Sequence, residues 1–253
     1  MFDFSAALAA RAAHAQTCTR RPCKECGLES CPRCRRDMII GGESRELDGS
    51  FELLRMCEAC ADAFVSARRI NHVEALIPPK FNWARVGAPE LRQRVQLEPS
   101  AFKAAYREAM AGKSLVLHGG QGCGKTSVAV ALFRAILDRG RGKDATKENA
   151  HLARRAFFVS SYDLARDRAR HKLGDGESPL IERAMRASLC VIDDLGSEAE
   201  TQLSGVGDVV YERWGQDRPT WVTTWANPEE IGVKYGGGIA RRVFENAHVV
   251  EVG

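Results

Sequence analysis

Five short apolar runs recur from residue 114 onward. They are Ser114-Leu115-Val116-Leu117-His118, Ala156-Phe157-Phe158-Val159, Leu189-Cys190-Val191-Ile192-Asp193, Thr220-Trp221-Val222-Thr223-Thr224 and His248-Val249-Val250-Glu251-Val252. Each is of strand length and bounded by polar or glycine-rich sequence, so each predicts a strand. Longer stretches of helical periodicity lie around them. Leu91 to Val95, Ala101 to Ala111 and Lys125 to Asp138 predict helices, and Ser160-Ser161-Tyr162-Asp163 puts capping-type residues at the front of another. Arg139 to Asn149 reads as a polar loop. A helical pattern also runs from Glu58 to about Leu76, and Ile77-Pro78-Pro79-Lys80 ends it, because two prolines cannot continue a helix. Strands alternating with helices predict an α/β fold: a parallel five-stranded sheet with right-handed crossovers and helices on both faces.

The double proline divides the chain into a cysteine-rich module, 1–76, and a larger α/β domain, 77–253. The 253 residues suit one medium domain with a small appendage. Apolar residues make up 44% and charged residues 28%, which is ordinary globular composition. No apolar run is long enough to span a bilayer, so no membrane association is expected. The net charge of +4 permits nucleic-acid contact without arguing for it. Met1 to Ala10 lacks the basic start of an export signal and carries Asp3. It reads as a short amphipathic helix, docked either on its own domain or on a partner. The expected compartment is the reducing cytoplasm.

Nine cysteines are present, and seven of them lie between Cys18 and Cys60. In a reducing compartment, clustered Cys-x2-Cys pairs point to metal rather than disulfides. Cys31/Cys34 and Cys57/Cys60 have the spacing of a zinc ribbon, in which four thiolates close a tetrahedral, structural Zn²⁺ site. Gly41-Gly42 and Asp48-Gly49 between the pairs suit a small hairpin. A module this small needs the metal for its folding energy. Cys18, Cys23 and Cys26, with His14, make a second zinc site or exchange with one of these pairs. Arg20-Arg21 and Arg33-Arg35-Arg36 form a basic cluster diluted by acids, which is a solvated face or a nucleic-acid patch.

Gly119-Gly120-Gln121-Gly122-Cys123-Gly124-Lys125-Thr126 fits G-x-x-x-x-G-K-[ST], and Ser127 continues it into the helix. The context is the required one, an apolar strand before and a long helix after. Glycines let the backbone wrap closely round phosphates with N–H groups inward, and the helix N-terminus adds its positive end. Lys125 neutralises the β- and γ-phosphates, and the Thr126 hydroxyl joins the Mg²⁺ shell. Cys123 fills a free position of the loop. The third apolar run ends in Asp193-Asp194 at the edge of the sheet where ligands bind. Successive strand side chains diverge, so the two acids take different tasks. Asp193 is expected to hold Mg²⁺ through water, and Asp194 to orient and activate an attacking water.

These segments together resemble the DnaC/IstB-like branch of AAA+ ATPases. The resemblance rests on Gly119 to Thr126, on Ser188 to Gly196 with its Asp-Asp-Leu-Gly strand end, on Arg218 to Thr224, and on Tyr235 to Phe244 with its Ile-Ala-x-Arg segment. It covers about Ile77 to Gly253. It implies an AAA+ sheet with a short or absent helical lid, ATP at subunit boundaries, and self-association into an ATP-dependent oligomer. It also implies loading of a replicative helicase (DnaB-type) onto single-stranded DNA during replication, or assistance to a transposase. A nucleotide-gated zinc adaptor with little hydrolysis is a third reading. Arg242 matches the family's arginine finger, with Arg241 beside it. Arg213 is either a second inter-subunit arginine or part of a solvated salt bridge. Relatives carry Asn after the two threonines of the fourth strand as a γ-phosphate sensor. Here Trp225 stands there, so the sensor is Thr224 or a displaced Asn227. Relatives also use Glu where Asp194 stands, one methylene longer. Phe81 or Trp83 stacks on the base or packs into the core.

Overall fold

The computed structural model describes residues 70–141, 145–171, 176–199 and 204–253. The seven cysteines between Cys18 and Cys60 and the expected N-terminal helix lie outside these. Arg69–Gly253 forms one compact unit.

Five strands form a single sheet: β1 (Leu115–His118), β2 (Phe157–Ser160), β3 (Cys190–Leu195), β4 (Thr220–Thr224) and β5 (His248–Glu251). Their order across the sheet is β2-β3-β4-β1-β5, and every pairing is parallel. Each expected strand is therefore present. The two-residue alternation of strand side chains sorts the apolar positions onto opposite faces. Leu115, Leu117, Phe158, Val191, Trp221 and Val250 enter one core; Val116, Phe157, Val159, Cys190, Ile192 and Val222 enter the other. Both faces need helical cover, which is why all but the polar strand ends are apolar.

The first face is covered by α1 (Pro89–Arg94), α2 (Pro99–Met110) and α3 (Lys125–Arg141). α3 is buried along most of its length, and its Phe133 meets Phe158 edge-on with ring centroids 5.8 Å apart. α4 (Lys147–Arg154) packs against α3. It begins inside the stretch read as polar loop, where the Thr146 side chain accepts from the Asn149 N–H at 3.2 Å. The polar composition of Lys147 to His151 hid this helix, whose few apolar residues, Leu152 and Ala153, reach the first core.

The second face is covered by α5 (Ser161–Arg170), α6 (Pro179–Arg186), α7 (Ser204–Gly215), α8 (Pro228–Tyr235) and α9 (Gly237–Phe244). α1, α2, α6 and α8 start on proline, which loses nothing at a position whose N–H has no partner in the helix. Residues 70–76, grouped by sequence with the cysteine module, carry Ile70 and Val73 into the first core. A helical turn over 70–74 precedes the proline pair. Buried Arg134 on α3 straps down the segment that follows, donating to the carbonyls of Phe81 (2.9 Å), Asn82 (2.9 Å) and Ala84 (3.2 Å).

Candidate functional site

The phosphate loop joins the C-terminal end of β1 to α3. Its glycines at 119 and 124 are demanded by conformation and by space. Gly124 has φ +104°, and a Cβ there would lie 2.8 Å from Val95 Cγ2. At Gly119, with φ +153°, a Cβ would lie 1.9 Å from the Val252 carbonyl oxygen. Both positions favour glycine on these grounds. The loop is walled in on the same side: the Gln96 N–H donates to the Cys123 carbonyl at 3.3 Å, and the Gly253 N–H to the Gln96 carbonyl at 2.8 Å. Cys123 is buried, and its thiol donates to the Gly120 carbonyl at 3.0 Å.

Lys125 is buried at the first turn of α3, and its Nζ donates to the carbonyls of Gly119 (2.9 Å) and Gly120 (2.6 Å). The ammonium is thus held inside the loop it follows. The next residue crosses to the neighbouring strand end. Thr126 Oγ1 donates to Asp193 Oδ1 at 2.9 Å, and Thr223 Oγ1 donates to the same oxygen at 2.7 Å. Burial pushes the Asp193 carboxyl above its ordinary value, against the two hydroxyl donors and Lys80, while Asp194 adds like-charge repulsion.

Asp194 is set by a bulge. Ile192 pairs with Val222 and Leu195 with Thr224, so two residues of β3 oppose Thr223 alone. Bulges re-aim side chains beside active sites. Asp194 takes φ +56°, unusual for a residue with a Cβ, and its side chain is exposed. Its N–H donates to Thr223 Oγ1 at 2.8 Å. Thr223, which sequence reasoning passed over for its neighbour, therefore touches both aspartates. Strand alternation contained a signal for it, since of two successive threonines only one shares a given face with Asp193.

Of the remaining expected residues, Thr224 stays at this sheet edge, its carbonyl accepting from the Gly119 N–H at 3.3 Å, and the others lie elsewhere. Thr224 is buried; its hydroxyl donates to the Leu195 carbonyl at 2.8 Å and accepts from the Ala226 N–H at 3.0 Å. Asn227 caps α8, with its side chain accepting from the Glu230 N–H at 2.9 Å and Glu230 returning the bond to the Asn227 N–H. Phe81 and Trp83 pack against the first core. Arg213 is wholly buried and is no surface arginine. It donates to the carbonyls of Ala184 (2.8 Å) and Ala187 (2.7 Å) at the end of α6, to the Pro219 carbonyl (2.6 Å) and to Thr220 Oγ1 (2.8 Å). Carbonyls left over at a helix C-terminus are natural partners for a cation.

Arg242 lies on α9, with its guanidinium 4.5 Å from the Tyr211 ring centroid and 4.7 Å from that of Trp214. It lines a cavity of about 830 Å³ together with Ser114, Thr220 and His248, the beginnings of β1, β4 and β5. The phosphate loop is at the opposite edge of the sheet, after the end of β1. Arg241 lies beside Trp214 and pairs with Glu245 at 3.7 Å.

The donors near Asp193 are all hard oxygens, the kind Mg²⁺ takes, and the loop leaves no room for side chains at Gly119 and Gly124. These residues fit a nucleotide with its divalent ion. The crystal structure of the DnaC helicase loader superposes on this chain with a TM-score of 0.52 and 19% identity, covering 70% of this chain and 100% of that one. The chain shares the fold of that protein, a parallel five-stranded sheet flanked by helices. The crystal structure of DnaI is similar to the same degree, with a TM-score of 0.52, 20% identity, and coverage of 70% of this chain and 94% of that one. At these identities the likeness is one of fold alone. No protein-family model and no curated protein matches the chain. Among the described residues, no helix is long and apolar enough to cross a membrane.

Proposed function

We propose that this protein is a cytoplasmic ATPase of the helicase-loader type, which binds and hydrolyses ATP while handing a replicative helicase to single-stranded DNA. The observation that carries the reading is the convergence of Lys125, Thr126 and Asp193 at one edge of the sheet. The neighbours named for a helicase loader and for DnaI support the choice of partner through their shared fold.

In this reading the amides of Gly119 to Ser127 cradle the phosphates of ATP, and Lys125 leaves its loop carbonyls to meet the β- and γ-phosphates. Thr126, and Asp193 through water, would hold Mg²⁺, with Thr223 keeping the Asp193 carboxylate in place. When bound, Mg²⁺ neutralises charge on the phosphate oxygens. Asp194 accepts a proton from the attacking water. Arg242 serves a neighbouring copy's nucleotide, because within its own chain it lies at the far edge of the sheet from the phosphate loop. A planar, permanently charged guanidinium suits that task. The γ-phosphate sensor is assigned to Thr224 or Asn227, each of which would have to exchange a present hydrogen bond for it. Single-stranded DNA is held by arginines such as Arg166, Arg170 and Arg183, which line a cleft of about 420 Å³ beside Asp193. The cysteine-rich module would hold zinc through Cys31, Cys34, Cys57 and Cys60, with Cys18, Cys23 and Cys26 as ligands of a second ion, and would present a surface to the helicase.

Lys125→Ala is expected to abolish binding of a fluorescent ATP analogue; wild-type affinity in that variant contradicts the reading. Co-purification in ATP and in ADP with a replicative helicase, and in parallel with a transposase, decides the partner. Capture of the transposase alone moves the protein to the transposase-helper class.

A further inference from the structure

Glu198 is 2% exposed on the loop after β3, and its carboxylate is held by neutral donors. Ser161 Oγ lies 2.8 Å from Oε2, the Gly196 N–H donates to the same oxygen at 3.2 Å, and the Tyr235 hydroxyl donates to Oε1. Burying a carboxylate is costly, and an apolar residue of the same shape would cover the site more cheaply. What distinguishes the group is its neighbours. Ser161 Oγ, whose single proton Glu198 and this acceptor share, also lies 2.7 Å from the Asp194 carbonyl oxygen, where the Ser197 N–H adds a bond at 3.1 Å. The Asp194 backbone is therefore met from one side by Thr223 and from the other by Ser161, whose hydroxyl bridges the Asp194 carbonyl and Glu198. At the other end of the chain of contacts stands the C-terminus of α8. Besides holding Glu198, the Tyr235 hydroxyl accepts from the Gly196 N–H at 3.0 Å; Lys234 Nζ donates to the carbonyls of Gly196 (2.5 Å) and Glu198 (2.7 Å). Gly236 follows directly and is the N-cap of α9, which carries Arg242.

We propose that Ser161, Glu198 and Tyr235 form a clamp that holds Asp194 in its left-handed bend and ties that bend to the α8–α9 hairpin bearing Arg242. These are positioning residues. The proposal rests on the reading of Asp194 as the group that activates water, and it adds a route by which a neighbour engaging Arg242 changes the setting of Asp194 in the same chain. A left-handed aspartate persists only where its surroundings over-determine it. Three contacts from three separate segments do so here: Thr223 on β4, Ser161 on α5 and Ser197 on the loop after β3.

The test uses the full-length protein with Mg²⁺ and a fluorescent ATP analogue for affinity, and steady-state ATP turnover for rate. Tyr235→Phe and Glu198→Ala are expected to lower kcat by ~10- to ~100-fold with analogue affinity unchanged, since a small misplacement of a reacting group costs this much. Glu198→Gln is expected to restore most of the rate. Its amide N–H donates to Ser161, Ser161 passes its own proton to the Asp194 carbonyl, the amide oxygen accepts from Tyr235, and the Gly196 N–H, which loses its 3.2 Å acceptor, keeps the Tyr235 oxygen at 3.0 Å. Wild-type kcat in Tyr235→Phe, or a Gln variant as slow as the Ala variant, overturns the clamp. A loss of affinity in proportion to rate also overturns it, by making the cluster mere scaffold. Hydrogen exchange reads the clamp without turnover: the segment 190–199 is expected to exchange faster in Tyr235→Phe, and unchanged exchange refutes the clamp. A wild-type protein that binds Mg-ATP and never turns it over sinks the ATPase reading itself, and the positioning role with it.

Discussion

Asp193 shows how one carboxylate is fixed by its neighbours. Two threonine hydroxyls aim their protons at a single oxygen, Oδ1, and leave the other lone pairs free. Gly124 is prepared differently, by exclusion. Its positive φ and the nearness of Val95 mean that Gly124→Ala strains the backbone and pushes on a neighbour at once. The variant is expected to lose about 1–2 kcal/mol from backbone strain alone, read by urea denaturation, and to bind the ATP analogue more weakly. Cys190 lies at the start of β3, fully buried, with its thiol pushed up to about 11 by burial. It is expected to resist thiol reagents in the native protein at pH 8 and to react on unfolding. The unfolded thiol ionises first as the pH climbs from 9.0 toward about 11, so this group's contribution to stability falls over that window. Native-state labelling of Cys190 at pH 8 would count against its burial.

At the scale of elements, polar groups join pieces that apolar packing only brings near. Arg213 closes the end of α6 and fastens it to the approach to β4, so one side chain on α7 satisfies acceptors on two other segments. Arg213→Met keeps much of the volume and strands those carbonyls. A loss of about 2–4 kcal/mol in urea denaturation is expected, with nucleotide affinity little changed. Arg134 plays a comparable part on the first face, where it fixes residues 81–84 to α3. The Asn227 cap sets where α8 starts, and hence where Lys234 and Tyr235 fall one helix length later. Asn227→Ala is expected to cost about 1 kcal/mol in stability as a lost cap. A far larger drop in turnover than in stability would support the sensor assignment for this residue.

For the whole molecule, the separation of Arg242 from the phosphate loop across the sheet has a kinetic consequence. Turnover is expected to rise more steeply than in proportion to protein concentration. Lys125→Ala and Arg242→Ala are each expected to be inactive alone. An equimolar mixture is expected to regain turnover, because the first supplies the arginine and the second the nucleotide site. A mixture as dead as its parts removes the finger role. The exposed Tyr211 and Trp214 beside Arg242 suit such a contact, since aromatic and arginine side chains concentrate interface energy.

Much of this was legible along the chain. The five apolar runs are strands because alternation and length act locally. The spacing of Gly119, Gly124, Lys125 and Thr126 specifies the tight glycine loop between β1 and α3 because the loop's backbone geometry belongs to those few residues. Tertiary structure alone decided the strand order β2-β3-β4-β1-β5 and the choice of Thr223 over Thr224 as the partner of Asp193. It likewise decided the burial of Arg213 and the joining of Glu198 to Ser161 and Tyr235. Periodicity and propensity are short-range quantities, whereas a buried hydrogen bond depends on which distant segment is folded against it. A charged or hydroxyl side chain looks alike in sequence whether it meets water or a carbonyl from another strand.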